Sequence, residues 1–378
     1  MANIMDYLDW RGDLSFEAAE FNEVDNLILA QLVYVDFTGI VPEPGCGEGI
    51  TLKEASARFF QTHEESEILA RVSMTKMAAF LMQKMAQTRR FADILLSDYV
   101  NDISDEEQSQ FSVVCITLED DSHYISFCGT DNTIVGWRED FNMGYLTATP
   151  GQRKAVDYLN RVIAKKQGNF RVGGHSKGGN LAVYASVNCE LELKQRILKV
   201  FSNDGPGVSR ETLESEAYQE MLPKIVAILP ESSVVGMLLE HEEKCKIVRS
   251  LKNGIGQHDA MSWEVLGTQF VYAGHLAEQS ILLDQTMKAW LGQLTREERE
   301  QIVETMFGML EEAQIETVDD FYHSRWKTVQ EFMKAKSKLP EETQKVFTKA
   351  MKLLWSEGRK TFLKNTPLHA VLENPTQS

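Results

Sequence analysis

The chain has 378 residues, enough for a full α/β core and roughly a hundred residues of a further module. Its formal charge of −17 argues against a nucleic-acid binder, which needs a basic face to displace counterions. The five cysteines, Cys46, Cys115, Cys128, Cys189 and Cys245, are odd in number and lack C-x-x-C or Cys/His spacing. A reducing compartment fits them better than a disulfide framework. Met1–Trp10 carries acidic residues and no signal-type apolar core, and no apolar run approaches membrane-spanning length, so the expected location is cytoplasmic.

In chain order, a short helical pattern covers Asp25–Phe37 and ends at the loop Pro42-Glu43-Pro44-Gly45-Cys46-Gly47. From Thr51 to about Tyr99 apolar residues recur at helical spacing, with a stripe through Met77, Phe80, Leu81 and Met85. That stripe is either the buried face of packed helices or an adaptable lipid-binding surface. Around Gln110 the period changes: Phe111–Leu118 and His123–Phe127 read as a hairpin across the turn Glu119-Asp120-Asp121-Ser122. A helix at Gly151–Lys166 follows. Strands are expected at Asn169–Val172, Ile197–Ser202, Lys224–Leu229 and Cys245–Arg249, with helices at Gly178–Val187 and near Glu214–Met221. Strands alternating with helices predict a mostly parallel, covered sheet.

After about Phe270 the strand signals stop. Residues 275–363 read as three or four amphipathic helices, one opened by a capping box of Thr295 with Glu298 and the last starting near Glu341. The expected division is an α/β domain over 1–275 and a C-terminal helical module over 276–378. Within the first, the helical N-terminal segment covers about 1–105 and the sheet core about 106–275.

The chemistry centres on Gly174-His175-Ser176-Lys177-Gly178, a G-x-S-x-G pattern between a strand and a helix. A serine on so tight a turn has a strained backbone, and its neighbours two positions away must be small. The turn lifts the hydroxyl above the sheet and aims the helix N-terminus at an anion forming beside it. A nucleophile there needs a base, an acid and an oxyanion hole, with the base on a loop after the last strand. His258, in Asn253-Gly254-Ile255-Gly256-Gln257-His258-Asp259, meets that requirement. His241, among Glu240, Glu242 and Glu243, reads as a solvated surface histidine.

Two strand ends offer the acid, Asp204 in Asn203-Asp204-Gly205-Pro206 and Glu231 in Pro230-Glu231-Ser232; both positions can carry it, and Asp204 is preferred. Asp259, adjacent to the base, is a poor orienting partner but remains a third candidate. The Lys177 N–H is the first oxyanion donor. Thr130, in Phe127-Cys128-Gly129-Thr130-Asp131, offers the second through its N–H and hydroxyl. The segment Gly205–Pro223 is either a lid over the pocket or an ordinary crossover helix.

Cys128-Gly129-Thr130 followed by Gly136-Trp137-Arg138-Glu139-Asp140, with Gly174-His175-Ser176-Lys177-Gly178-Gly179, is similar to the motifs of class 3 (fungal-type) triacylglycerol lipases over about residues 110–275. Asp9-Trp10-Arg11-Gly12-Asp13 and Gln257-His258-Asp259-Ala260-Met261-Ser262-Trp263 extend the resemblance to a bacterial family of lipase-like α/β-hydrolases. It implies Ser176 as nucleophile, His258 as base and Thr130 as oxyanion residue. The chain departs from the lipase pattern in three places. Cys128 replaces an arginine, Lys177 replaces an apolar residue, and no Asp stands near Leu229–Val234, where the lipase acid is expected.

The expectation is therefore an α/β-hydrolase fold carrying a serine carboxylic-ester hydrolase, with small-molecule or lipid esters as substrates and no metal or organic cofactor. Peripheral lipid contact and oligomeric state stay open. The alternative is a lipase-like fold serving as a binding or regulatory module with weak or no turnover.

Overall fold

The computed structural model describes residues 2–70, 73, 75–104, 106–130, 134–312 and 341–364. Asp131 and the stretch 313–340 lie outside them. Met1–His275 forms one compact unit and Leu276–Ser378 another.

The first unit is built on an eight-stranded sheet whose strands lie side by side in chain order: β1 (Ile50–Thr51), β2 (Leu95–Ser104), β3 (Ser109–Thr117), β4 (His123–Phe127), β5 (Phe170–His175), β6 (Ile197–Asn203), β7 (Ile225–Pro230) and β8 (Lys246–Val248). β1 to β4 pair antiparallel, with β3 and β4 forming the expected hairpin, and β4 to β8 pair parallel. β1 and β2 fall within the stretch of about 1–105 expected to be helical, so the sheet begins earlier than about residue 106; β2 was not legible in the sequence. Its register shifts between Ser97 and Val100, where Asp98 takes φ +52. The bulge breaks the alternation that marks a strand.

Parallel strands added one after another in one direction, joined by right-handed crossovers, receive every connecting helix on the same face. Helices α7 (Pro150–Lys165), α8 (Lys177–Asn188) and α11 (Glu216–Met221) accordingly pack with Val113, Ile125, Phe127, Val172 and Val200. This topology leaves the opposite face uncovered. The N-terminal helices cover it: α1 (Ile4–Arg11), α2 (Glu23–Leu32), α3 (Leu52–Thr62), α4 (Glu65–Ala70) and α5 (Met77–Met85) bury Leu96, Val114, Ile116, Tyr124 and Ile228. The N-terminal segment is thus the second outer layer of an α/β-hydrolase sandwich. α2 is buried on nearly all sides, as a helix against the centre of a sheet must be. Arg90 ties the layer together. Its guanidinium bonds Asp25 through Nε at 2.8 Å and Nη2 at 2.6 Å, and it also reaches the carbonyls of Leu14, Ser15, Ala19 and Glu20.

Two ambiguities of the sequence resolve here. Of the stripe, Leu81 and Met85 are fully buried, Phe80 packs half-buried against the same core and Met77 is half-buried, so the stripe is mainly core. Tyr218 and Met221 of α11 are buried in the cluster shared with α8, so this part of Gly205–Pro223 packs as a crossover helix rather than lying free over the pocket.

In the second unit, α12 (Glu278–Leu291), α13 (Arg296–Glu312) and α14 (Glu341–Lys364) surround a core of Trp290, Leu294, Ile302 and Ala350. Thr295 and Glu298 form the expected capping box, Thr295 N–H to Glu298 Oε2 at 3.0 Å and Glu298 N–H to Thr295 Oγ1 at 3.1 Å. Among the described residues no helix is long and apolar enough to cross a membrane.

Candidate active site

Ser176 sits between β5 and α8 with φ +57 and ψ −132, a conformation that non-glycine residues rarely adopt. The tight turn dictates its glycines. A Cβ on Gly174 would stand 2.4 Å from the Gly178 carbonyl carbon, and one on Gly178 would stand 2.1 Å from the Phe127 oxygen. The expectation of small residues on either side of the serine therefore has a direct steric cause. Lys177 is the first residue of α8, so its N–H has no partner within the helix and points out of the N-terminus.

The three residues proposed from the sequence meet. His258 Nε2 lies 3.1 Å from Ser176 Oγ, and His258 Nδ1 lies 2.6 Å from Asp204 Oδ2. Asp204 is fully buried, and its other oxygen accepts from Ser233 Oγ at 2.5 Å and from Gly236 N–H at 3.2 Å. Both ring nitrogens of His258 are taken, which leaves no place on the ring for Glu231; that residue's N–H bonds the Val248 carbonyl. The carboxylate that His258 contacts therefore follows β6, directly beside the strand that leads into Ser176. The lipase-like expectation had looked one strand further on. Asp259 turns away to Lys252 at 2.6 Å and caps Met261 N–H.

His241 is not a solvated surface residue. It is largely buried and pairs with Glu243 at 3.0 Å, and the Tyr218 hydroxyl bonds the other oxygen of that carboxyl at 2.5 Å. Sequence reasoning failed here because the tertiary partner, Tyr218, is distant in the chain.

The loop that carries His258 is held by groups the motif reading did not assign. Trp263 Nε1–H donates to the Gln257 carbonyl at 2.8 Å. His175, the residue before the nucleophile, lies 2.8 Å through Nε2 from the His258 carbonyl and 3.0 Å through Nδ1 from the Tyr34 hydroxyl. Burial first, and then the neighbouring His258, push its pKa down to about 3. The ring is consequently neutral, donates through Nε2–H to His258 and accepts from Tyr34. Its place beside the nucleophile was the available signal. Tyr34 had none, because it arrives from the end of the α2 region.

On the opposite side, a Cβ on Gly129 would lie 3.1 Å from Ser176 Cβ, so the strand end bearing Thr130 abuts the nucleophile. The Thr130 hydroxyl, expected to face the anion together with its N–H, instead donates to Asp140 Oδ2 at 2.6 Å. Burial raises the Asp140 pKa to about 6, against the opposing pull of Lys177. The Lys177 side chain, where the lipase pattern has an apolar residue, is 1 % exposed and bonds Glu139 Oε2 at 3.0 Å. Burial alone would lower its pKa, but Glu139 and Asp140 outweigh it and hold the ammonium above its ordinary value. Among the described residues no group of three or more His, Cys, Asp or Glu is placed to hold a metal ion.

The model of the Mbeg1-like family matches residues 85–308, more than half of the chain, and the chain belongs to that family. This accords with the lipase-like resemblance of its motifs. Among solved structures, the crystal structure of M37 lipase is similar at 14% identity and a TM-score of 0.36, over 56% of this chain and 68% of that one, too distant to bear on the site. A search of curated proteins finds no match.

Proposed function

We propose that the protein is a serine hydrolase of carboxylic esters, acting in the cytoplasm on small-molecule or lipid substrates. The observation that carries this reading is the continuous Asp204–His258–Ser176 relay, with contacts of 2.6 and 3.1 Å. Ser176 Oγ attacks the acyl carbon as His258 Nε2 takes its proton. Asp204 holds Nδ1–H and so keeps Nε2 free to accept. The charge forming on the carbonyl oxygen is met by the backbone N–H groups of Lys177 and Thr130. His258 then protonates the leaving alcohol, and a water repeats the sequence to release the acid.

The rival reading, a binding or regulatory module of lipase-like fold, has two grounds: the lack of an acid where lipases place one, and the appended C-terminal helices. The Asp204–His258 contact at 2.6 Å weighs against the first. Hydrolysis of short p-nitrophenyl esters tests the proposal: Ser176→Ala should abolish turnover with little change in melting temperature, because the hydroxyl serves chemistry rather than packing. Undiminished turnover by the purified variant would overturn the assignment.

A further inference from the structure

Lys177 has two attachments to the site. Its N–H is the expected oxyanion donor, and its side chain runs the other way into the protein. There the ammonium is bonded on all sides, to the Gln110 carbonyl at 2.7 Å, Gln110 Oε1 at 3.3 Å and Glu139 Oε2 at 3.0 Å. Glu139 is equally occupied. Oε2 also accepts from Gln110 N–H at 3.1 Å, and Oε1 accepts from Gly151 N–H at 2.7 Å. Even the space is fitted, since a Cβ on Gly151 would stand 2.5 Å from Glu139 Oε1. Both side chains of the pair are fully buried. The pair therefore joins the nucleophile turn, the start of β3, the first turn of α7 and helix α6 (Ile134–Asn142). The next residue on α6 is Asp140, which holds the Thr130 hydroxyl.

We propose that the Lys177 side chain is a positioning residue for the oxyanion side of the site, its buried bond to Glu139 locking α6 against the nucleophile turn so that Asp140 fixes Thr130 beside Ser176. A buried ion pair is a poor choice if stability is the only need. Apolar side chains of similar volume usually serve as well or better, because both charges must be desolvated. What the pair supplies is direction. The ammonium and the carboxyl each make several bonds that an apolar contact would leave free to slide. Displacement of a reacting group by about 1 Å can cost on the order of a hundredfold in rate, so direction at this position matters.

The inference rests on the ester-hydrolase reading, and one set of measurements separates the two. The full-length chain, Lys177→Met and the double variant Lys177→Met/Glu139→Leu are compared in ester hydrolysis, in affinity for an aryl boronic acid that forms a tetrahedral adduct with the serine, and in melting temperature. Lys177→Met should lose about tenfold to a hundredfold in kcat, with KM within about threefold, and weaken boronate binding by a similar factor. The double variant has no stranded charge but loses the bonds from the Gln110 and Gly151 N–H groups, so it should regain part of the melting temperature and none of the kcat. Should Lys177→Met fail to fold, the double variant decides alone. Recovery of wild-type kcat in the double variant, or an unimpaired single variant, overturns the proposal while leaving the hydrolase reading intact. A wild-type protein that folds yet neither hydrolyses esters nor binds the boronate overturns both.

Discussion

Asp204→Asn is the substitution in which the structure dictates the outcome most closely. Ser233 Oγ–H and Gly236 N–H both donate to Asp204 Oδ1, so an asparagine there keeps its amide oxygen on that side. Its NH2 group then faces His258 Nδ1, where a carboxyl oxygen had accepted at 2.6 Å. The imidazole answers by moving its proton to Nε2. In that tautomer the nitrogen 3.1 Å from Ser176 Oγ can no longer take the serine proton. Wrong-tautomer variants of serine triads lose about four orders of magnitude in kcat, or about 5.5 kcal/mol in barrier height. The fold should tolerate the change, because volume and both donors to Oδ1 are kept. The assay is hydrolysis of p-nitrophenyl butyrate with unfolding followed in parallel, and Glu231→Gln serves as the neutral control. Loss below tenfold in Asp204→Asn, with Glu231→Gln the damaging change, would refute the argument.

His175 makes stability depend on pH. Its folded pKa is about 3 against an ordinary 6.5, so above pH 6.5 it adds no pH dependence. Below that value the unfolded chain takes up a proton that the folded one refuses, and stability falls by at most about 1.4 kcal/mol per pH unit; equal slopes of urea midpoint against pH in wild type and His175→Gln would contradict this. Arg90→Met should destabilise by about 3–5 kcal/mol, because it strands the fully buried Asp25 charge, and a urea midpoint near wild type would count against it. Amide exchange over Glu216–Met221 should be as slow as in Lys177–Asn188, given the buried Tyr218 and Met221, and fast exchange there would restore the lid.

The parallel half of the sheet was readable because each buried strand is a short apolar run bounded by turns and followed by a helical period. The site was readable where it lies on such a boundary: Ser176 at a turn that admits only glycine two residues away, Asp204 at a strand end, His258 in a glycine-rich loop. What stayed hidden depends on contacts between distant residues. The bulge at Asp98 masked β2. The covering role of the N-terminal helices follows from strand order, which periodicity does not encode. Tyr34 and Ser233 carry no local mark of the atoms they hold. Lys177 looked like a blemish in the lipase pattern, because its partner Glu139 is 38 positions away in the chain.

The most direct test of the account is reaction of the intact chain with a fluorophosphonate, followed by mass spectrometry of the modified peptide. The relay predicts a single covalent adduct at Ser176, absent from Ser176→Ala and formed far more slowly by His258→Ala. A folded protein that stays unlabelled, or one labelled at another residue while Ser176 remains free, would contradict it.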